Sequence, residues 1–225
     1  MNVGQQASPP RAQVPTGLAH LAARILASDF PCVGSEVAAA VRAGAERVHV
    51  DVMGCHPSEV TAGRLACRAL RRVTRAPVEA HLMIRPTPEL VAAFAAAGAD
   101  AIAIHPEECV DVRAAVELVR ANGCEVGLAL AAGSSLEAVG DLLGEVDFVL
   151  VTCATPGPDG QRFVPAALRW IRTLRERLEA TGRPIALSVD GGVGAETAGE
   201  LVAAGADTLV VEPVPCPRAA ASRAA

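Results

Sequence analysis

Lysine is absent from this chain, and its absence excludes several kinds of chemistry. All 20 basic residues among the 225 are arginine. A Schiff-base aldolase and a pyridoxal enzyme need a lysine amine as a covalent handle, and a Walker phosphate loop needs one beside the phosphates. Barrel decarboxylases that use an Asp-x-Lys-x-x-Asp array are excluded for the same reason.

Aromatic residues and long apolar runs are also scarce. Aromatics make up 2% of the chain, tyrosine is absent, and the formal net charge is -5. Because nucleic-acid binders need stacking platforms and a basic surface, we expect no nucleic-acid partner. No apolar run is long enough to span a bilayer, and the polar, Pro-rich N-terminus lacks a signal region. We therefore expect no membrane partner and a cytoplasmic location.

The cysteines do not form a recognisable framework. There are seven, an odd number, with no C-x-x-C pair, so neither a disulfide scaffold nor a zinc ribbon is indicated. Hydrophobic residues make up 51% of the chain and charged residues 20%, which is typical of a packed globular protein. We predict one domain over residues 21–215, after an N-terminal extension (1–20) that is Pro-rich at its start and before a C-terminal tail (216–225).

Short β-branched runs alternate with stretches of helical period, as in βα units on a parallel sheet. Seven helices are predicted between eight strands, which lie at 24–28, 47–53, 78–84, 101–105, 125–130, 146–152, 184–190 and 207–212. An Ala-Gly-Ala-acid sequence recurs at 43–46, 97–100 and 204–207, where a left-handed glycine would end a helix before the next strand. The pattern predicts an α/β fold, a (β/α)8 TIM barrel. An open doubly wound sheet is the alternative, but this sequence lacks the G-x-G-x-x-G nucleotide-binding turn of such folds.

The chain after the last predicted strand is short and Pro-rich. It cannot form a normal closing helix, so the eighth helix of the barrel is expected to be atypical or missing. We consider residues 16–23, before the first predicted strand, as a segment that could cover the gap.

Polar residues interrupt the ends of three predicted strands, where barrel enzymes place their function. They are His49, Asp51, His81 and Asp190. The two-residue period of a strand puts His49 and Asp51 on one face. Two imidazoles and two carboxylates at one barrel mouth would bind a divalent metal, with zinc favoured and manganese or iron as alternatives. One such residue alone would be read as a hydrogen-bonded interior group, but four together favour a metal because unpaired buried charges are costly.

Five motifs occur in a fixed order: ILASDF (25–30), VHVDVM (48–53), HLMI (81–84), PG-x-x-GQ-x-F (156–163) and VDGGV (189–193). Together they resemble the ribulose-phosphate 3-epimerase family over roughly residues 24–213. The resemblance implies an isomerase that inverts a carbon next to a ketose carbonyl through an ene-diolate, with ribulose 5-phosphate as the parent substrate. It also implies that His49, Asp51, His81 and Asp190 bind the metal and that Asp51 and Asp190 exchange protons on opposite faces. We also expect a homo-oligomer.

This mechanism has a physical basis beside the resemblance. A carbon next to a carbonyl is too weak an acid to lose its proton to a carboxylate unaided, so a metal must stabilise the charge that develops on the substrate oxygens. Inversion also needs one base on each face. Met53 and Met83 match thioethers that line the family's site and would keep water away, with ordinary barrel packing as the alternative.

The chain departs from the family where substrate would bind. Arg24 replaces the usual serine, and the loop after the second strand has the sequence GCHPSEV and is one residue shorter. Glu212 and Pro213 replace a Gly-Ser pair whose N–H groups serve the substrate phosphate, and proline has no N–H to donate. The predicted substrate-binding residues are Arg24, Met53, His81, Met83, Gly157, Asp159, Gly160, Gly191, Gly192 and Glu212.

Two interpretations of these departures compete. Either the enzyme kept its metal chemistry and uses an unphosphorylated or cationic substrate anchored by Glu212 and Asp159, or Arg24 binds the phosphate from a new direction. The alternative to both is that Glu212 points to solvent and Asp159 only caps a turn. A separate hypothesis is a catalytically silent barrel used for binding. The presence of all four predicted ligands argues against silence, because buried charged groups without a metal are destabilising.

Overall fold

The computed structural model describes residues 20–26, 33–54, 57–157 and 160–211, and these form a closed barrel of parallel strands. The barrel strands are β1 (His20–Leu26), β2 (Ala45–Met53), β3 (Val78–Met83), β4 (Ala101–Ile104), β5 (Glu125–Ala131), β6 (Phe148–Thr152), β9 (Ala186–Asp190) and β10 (Thr208–Val211). They pair in the order β1-β10-β9-β6-β5-β4-β3-β2. The predicted barrel is confirmed, and the open sheet is wrong. Two further strands, β7 (Ala154–Gly157) and β8 (Gly160–Phe163), form an antiparallel hairpin between β6 and the next helix.

Each gap between consecutive barrel strands contains one α-helix, as predicted. The helices are α1 (Val33–Arg42), α2 (Pro57–Val73), α3 (Pro88–Ala96), α4 (Val112–Ala121), α5 (Gly140–Leu143), α6 (Ala167–Ala180) and α7 (Ala195–Ala203), with short 3-10 turns at Pro106–Glu108 and Glu137–Val139. Thr87 and Asp111 cap α3 and α4 by accepting backbone N–H groups of the first turn. The predicted position of an eighth helix lies outside the described residues. No helix in the described ranges is long and apolar enough to cross a membrane.

The recurring Ala-Gly-Ala-acid sequences end helices as predicted. Gly44, Gly98 and Gly205 have φ values of 105°, 100° and 108°, in the left-handed region that favours glycine. Gly98 and Gly205 are also close to arginine side chains, since a β-carbon there would lie 2.2 Å from Arg71 and 2.7 Å from Arg175. Gly98 and Gly205 therefore serve both the turn and the close approach of an arginine from the preceding helix, α2 or α6.

The apolar cluster in the interior of the barrel consists mostly of small residues and contains one aromatic ring. Its apolar members are Ala22, Ala101, Ala103, Ala129, Phe148, Leu150 and Val210. The Phe148 ring packs against Gly127, where a β-carbon would lie 2.2 Å from the ring. Alanines on β1, β4 and β5 leave room inside the barrel for long polar side chains from β1, β2 and β3, and those side chains build the site described below.

The first strand differs from the prediction. β1 begins at His20, four residues before the predicted start, and its residues 20–23 pair with β10 in parallel register. The prediction that residues 16–23 cover the gap of the missing helix is therefore wrong for residues 20–23. Their composition is not typical of a strand, but hydrogen bonding to β10 and β2 on both sides closes the barrel, and this pairing outweighs local propensity.

Candidate metal centre at the barrel mouth

The structure brings the four predicted ligands together. One ligand atom from each of His49, Asp51, His81 and Asp190 lies within 4.8 Å of the others, and all four residues are buried. Strand alternation places His49 and Asp51 on the inner face of β2, and the β2–β3 register sets Asp51 beside His81. Asp190 comes from the last position of β9.

Asp51 is the centre of the cluster, because its two oxygens face different partners. Its Oδ1 lies 3.1 Å from His49 Nε2 and 3.0 Å from His81 Nδ1. Its Oδ2 accepts a hydrogen bond of 2.6 Å from Arg24 Nε. Burial alone would raise the pKa of the Asp51 carboxyl, but the hydrogen bonds from the two histidines outweigh it and hold the pKa well below its usual range. Asp51 is therefore ionised.

Glu79 holds the other nitrogen of His49. The Oε1 atom of Glu79 accepts from His49 Nδ1 at 2.8 Å, and its Oε2 accepts from Arg47 at 3.2 Å. Glu79 is 1% exposed. Burial lowers the pKa of His49, but hydrogen bonds to Asp51 and Glu79 outweigh it and raise the pKa to about 10. Without a metal, His49 is an imidazolium that donates to a carboxylate on each side.

His81 is held in the same way by a second histidine. Its Nε2 lies 2.9 Å from His105 Nε2, and His105 Nδ1 lies 2.9 Å from Glu107 Oε1. The His81 and His105 rings stack with centroids 5.1 Å apart. Burial lowers the pKa of His81, and the hydrogen bond with Asp51 opposes this shift without cancelling it. Each imidazole thus presents one nitrogen to Asp51 and has the other held by the protein, as metal-ligating histidines commonly do.

Asp190 supplies the best test of whether a metal fits. Its Oδ2 lies 3.6 Å from Arg24 Nη2, while its buried Oδ1 has no hydrogen-bond partner among the described residues. An unsatisfied buried carboxylate oxygen is costly. A divalent cation among the nitrogens and oxygens of this cluster would satisfy it, and mixed imidazole and carboxylate donors suit such an ion. The residues present fit a metal.

A cavity of about 310 Å³ opens beside the cluster at the barrel mouth. Its described lining consists of Arg24, His81, Met83, His105, Glu107, Glu108, Thr152, Asp190 and Gly191. Two of the four cluster residues therefore face the cavity directly. A small polar molecule in this space would contact the cluster.

Comparison with known proteins identifies the family. Residues 20–213 match the ribulose-phosphate 3 epimerase family. The chain belongs to this family. Ribulose-phosphate 3-epimerase 2 of Cupriavidus necator is 41% identical over 195 residues, which cover 84% of this chain and 81% of that protein. Ribulose-phosphate 3-epimerase of Escherichia coli is 38% identical over 192 residues, which cover 84% of this chain and 85% of that protein.

Solved structures show the fold alone. A mutant tryptophan synthase alpha-subunit from Pyrococcus furiosus matches with a TM-score of 0.65 at 17% identity, over 86% of each chain. At this identity the likeness extends to the barrel and not to the chemistry.

The other predicted site residues of this epimerase-family chain are spread over several places. Met83 and Gly191 line the cavity, whereas Met53 ends β2 with 44% of its surface exposed and is not in the described lining. Gly157 and Gly160 pair with each other as the last pair of the β7–β8 ladder. Asp159 and Glu212 lie outside the described residues.

Gly192 has a structural role that the sequence did not indicate. Its φ is 67°, and a β-carbon there would lie 2.3 Å from the backbone nitrogen of Phe163 in β8. The close approach of the hairpin therefore requires a glycine at this position. The loop that follows Asp190 is thus packed directly against the β7–β8 hairpin.

Proposed function

We propose that this chain is a metal-dependent epimerase that inverts a carbon next to a ketose carbonyl through an ene-diolate, with Asp51 and Asp190 as the two acid/base residues. The observation that carries the proposal is the cluster of two carboxylates and two imidazoles beside a cavity of about 310 Å³ at the barrel mouth. The names of the relatives, all ribulose-phosphate 3-epimerases, support the reaction type.

The two aspartates reach the site from different strands. Asp51 comes from β2 and Asp190 from β9, and β1 and β10 separate these strands in the barrel. Two bases that flank one space suit an inversion, because one removes a proton from the carbon while the other returns a proton to the opposite face. Arg24 contacts both of them, through a hydrogen bond from its Nε to Asp51 Oδ2 and an ion pair with Asp190.

The chain's own residues would hold the metal through atoms that already face the cluster. These are His49 Nε2, His81 Nδ1, Asp51 Oδ1 and Asp190 Oδ1, the last of which has no hydrogen-bond partner in the described part of the chain. When bound, a divalent cation would stabilise the negative charge that develops on the substrate oxygens. We propose zinc, since two imidazoles and two carboxylates match its donors, and elemental analysis of the purified protein would distinguish it from manganese or iron.

The substrate class has two candidates. The relatives' names suggest ribulose 5-phosphate. The described cavity lining favours an unphosphorylated or cationic substrate instead, because it carries the carboxylates Glu107 and Glu108 in addition to the proposed metal ligand Asp190. Its one guanidinium, Arg24, is already paired with Asp51 and with Asp190. A phosphate dianion beside Glu107 and Glu108 would be repelled by both carboxylates.

Solvent deuterium incorporation, followed by proton NMR, tests both candidates. The metal-loaded protein is incubated in D₂O with ribulose 5-phosphate and, separately, with ribulose. Deuterium incorporation into ribulose 5-phosphate, with inversion at the carbon next to its carbonyl, supports the first candidate. Deuterium incorporation into ribulose alone supports the second. If the metal-saturated protein exchanges neither, the epimerase proposal is contradicted and the silent barrel is favoured.

Asp51→Asn and Asp190→Asn test the two roles. Each change should lower the exchange rate by roughly 10²–10⁴-fold, the usual contribution of a general acid or base. Asp141→Asn, an exposed carboxylate on α5, serves as the matched control and should keep the wild-type rate. A wild-type rate in either active-site variant would contradict the assignment.

We also propose that the protein is a homo-oligomer. The exposed apolar side chains Val41, Leu65 and Val73 lie on the adjacent helices α1 and α2, which is the support that the described surface offers. Light scattering after size-exclusion chromatography measures the mass directly, and a monomer at micromolar concentration would contradict the proposal.

A further inference from the structure

Arg24 is directed into the metal centre by the backbone. On β1 the alternate residue Ala22 belongs to the barrel interior, and Ile25 packs on the outside against the helices, so Arg24 points inward. The register pairs Arg24 with His49 on β2. Its side chain therefore enters the same space as the ligand cluster, whatever else occupies that space.

The guanidinium of Arg24 contacts both acid/base candidates. Its Nε donates to Asp51 Oδ2 at 2.6 Å, and its Nη2 lies 3.6 Å from Asp190 Oδ2. Arg24 is 7% exposed, and both aspartates are 3% exposed. An ion pair at this depth is poorly screened by solvent, so the positive charge is felt strongly by anything bound between the aspartates.

We propose that Arg24 is a built-in cation that competes with the divalent metal for Asp51 and Asp190, so that this protein binds its metal less tightly than the same four ligands would without the guanidinium. The inference rests on the metal centre proposed above. Two positive groups share the same pair of carboxylates. If the guanidinium stays when the metal binds, it repels the ion, and if it moves into the cavity, its ion pairs are lost; both routes weaken metal binding.

The same contacts of Arg24 are expected to stabilise the metal-free protein. Asp51 and Asp190 are two buried carboxylates in close proximity, an arrangement that disfavours ionisation and folding unless positive charge lies nearby. In the metal-free protein His49 supplies such a charge to Asp51, and Arg24 lies beside both carboxylates. The metal site of this protein is therefore expected to be reversible, with metal loss tolerated and reloading set by the metal concentration.

The test is the metal affinity of a charge series at position 24. Zinc binding is measured by isothermal titration on chelator-stripped protein, with cobalt absorption as a second readout that does not depend on activity. Arg24→Gln and Arg24→Ser remove the charge and should bind zinc more tightly by at least about tenfold, because a unit charge some 5 Å from a divalent ion has an effect of this order even at the dielectric constant of water. Arg24→Lys keeps the charge and should stay near wild type.

The control is an arginine of the same charge far from the site. Arg113→Gln removes an exposed guanidinium that pairs with Glu145, and it should leave zinc affinity unchanged. Chelator-stripped Arg24→Gln should also melt at a lower temperature than stripped wild type and gain more in melting temperature when zinc is added. This second measurement needs only a folded variant, and it detects the competition even where tight binding exceeds the calorimetric range.

The outcomes separate this inference from the proposed function. If wild type binds zinc and the uncharged variants bind it equally or more weakly, the competition is wrong while the metal centre stands. If neither wild type nor any variant binds zinc, cobalt or manganese, the metal centre and the competition are both wrong. Tighter binding in Arg24→Gln and Arg24→Ser but not in Arg24→Lys is the expected result.

Discussion

Glu79 orients His49, and its contribution can be measured at the scale of one residue. It accepts from His49 Nδ1 at 2.8 Å, which leaves Nε2 facing Asp51 and the rest of the cluster. A carboxylate behind a ligating imidazole fixes its ring and raises its basicity. We expect Glu79→Gln to lower zinc affinity by roughly 10–100-fold, the usual effect of losing such a partner.

Glu125→Gln is the matched control for this change. Glu125 also pairs with Arg47, at 2.9 Å, but the structure shows no contact between it and His49. Both variants lose one negative charge beside Arg47, but only Glu79 is buried and in contact with the imidazole. Isothermal titration with zinc measures both. Equal affinities in the two variants would show that Glu79 acts through Arg47 rather than through His49.

The four residues of the buried cluster could be predicted from the sequence, whereas their partners were not predicted. His49, Asp51, His81 and Asp190 interrupt apolar strand ends, so their residue types alone mark them. Glu79 left a signal too, since it lies two residues before His81 on the same face of an otherwise apolar strand. The pairing of Arg24 with Asp51 has no signal in the sequence, because it depends on the β1–β2 register and on the length of the arginine side chain.

At the scale of elements, the β7–β8 hairpin and the end of β9 depend on each other at one glycine. Gly192 has φ 67°, and any β-carbon there would press on the Phe163 backbone at 2.3 Å. We expect Gly192→Ala to lower the free energy of unfolding by about 1–3 kcal/mol, from left-handed strain and displacement of the hairpin. Urea denaturation measures this directly.

Gly199→Ala provides the comparison. Gly199 lies within α7, and the position that a β-carbon would take there has no neighbouring atom within 4 Å, so alanine should be neutral or stabilising by up to about 1 kcal/mol. If Gly192→Ala had the same free energy of unfolding as Gly199→Ala, the hairpin could be displaced by the added β-carbon without loss of stability. In that case the close packing of the hairpin on the loop after Asp190 would not be a constraint on the site.

The elements that were predicted and those that were missed differ in what determines them. The barrel strands are rich in β-branched residues, and the helices between them have an apolar face, so local pattern is enough. The hairpin lies in a Pro- and Gly-containing segment, PGPDGQRF, with no alternation of apolar and polar residues. The start of β1 at His20 follows from closure of the barrel against β10, a pairing between the two ends of the described chain.

At the scale of the whole molecule, charges of alternating sign lead from the exposed Glu125, at the start of β5, to the buried cluster at the barrel mouth. Glu125, Arg47, Glu79, His49, Asp51, Arg24 and Asp190 follow one another, each in contact with the next. In the metal-free protein this order depends on His49 being protonated. An unprotonated His49 would leave the carboxylates of Glu79 and Asp51 facing one neutral ring.

Protonation of His49 therefore links stability to pH. The pKa of His49 rises from 6.5 when unfolded to about 10 when folded, so its contribution to stability is complete below pH 6.5 and is lost as the pH rises through 10. We expect chelator-treated protein to lose on the order of 3 kcal/mol of unfolding free energy between pH 6.5 and about pH 9, because each pH unit in this window costs about 1.4 kcal/mol. Urea denaturation at a series of pH values measures the loss.

Zinc-saturated protein should behave differently over the same range, because a His49 that held the ion through Nε2 would be neutral and would no longer carry the proton that titrates in the metal-free protein. Its unfolding free energy should fall less than that of the chelator-treated protein. His49→Gln should abolish the difference by removing both the titrating ring and a ligand. Parallel pH profiles of the unfolding free energy for stripped and zinc-loaded wild-type protein would contradict this expectation. They would mean that metal binding does not require loss of the proton from His49. The alternating charges would then be a structural feature that is independent of metal binding.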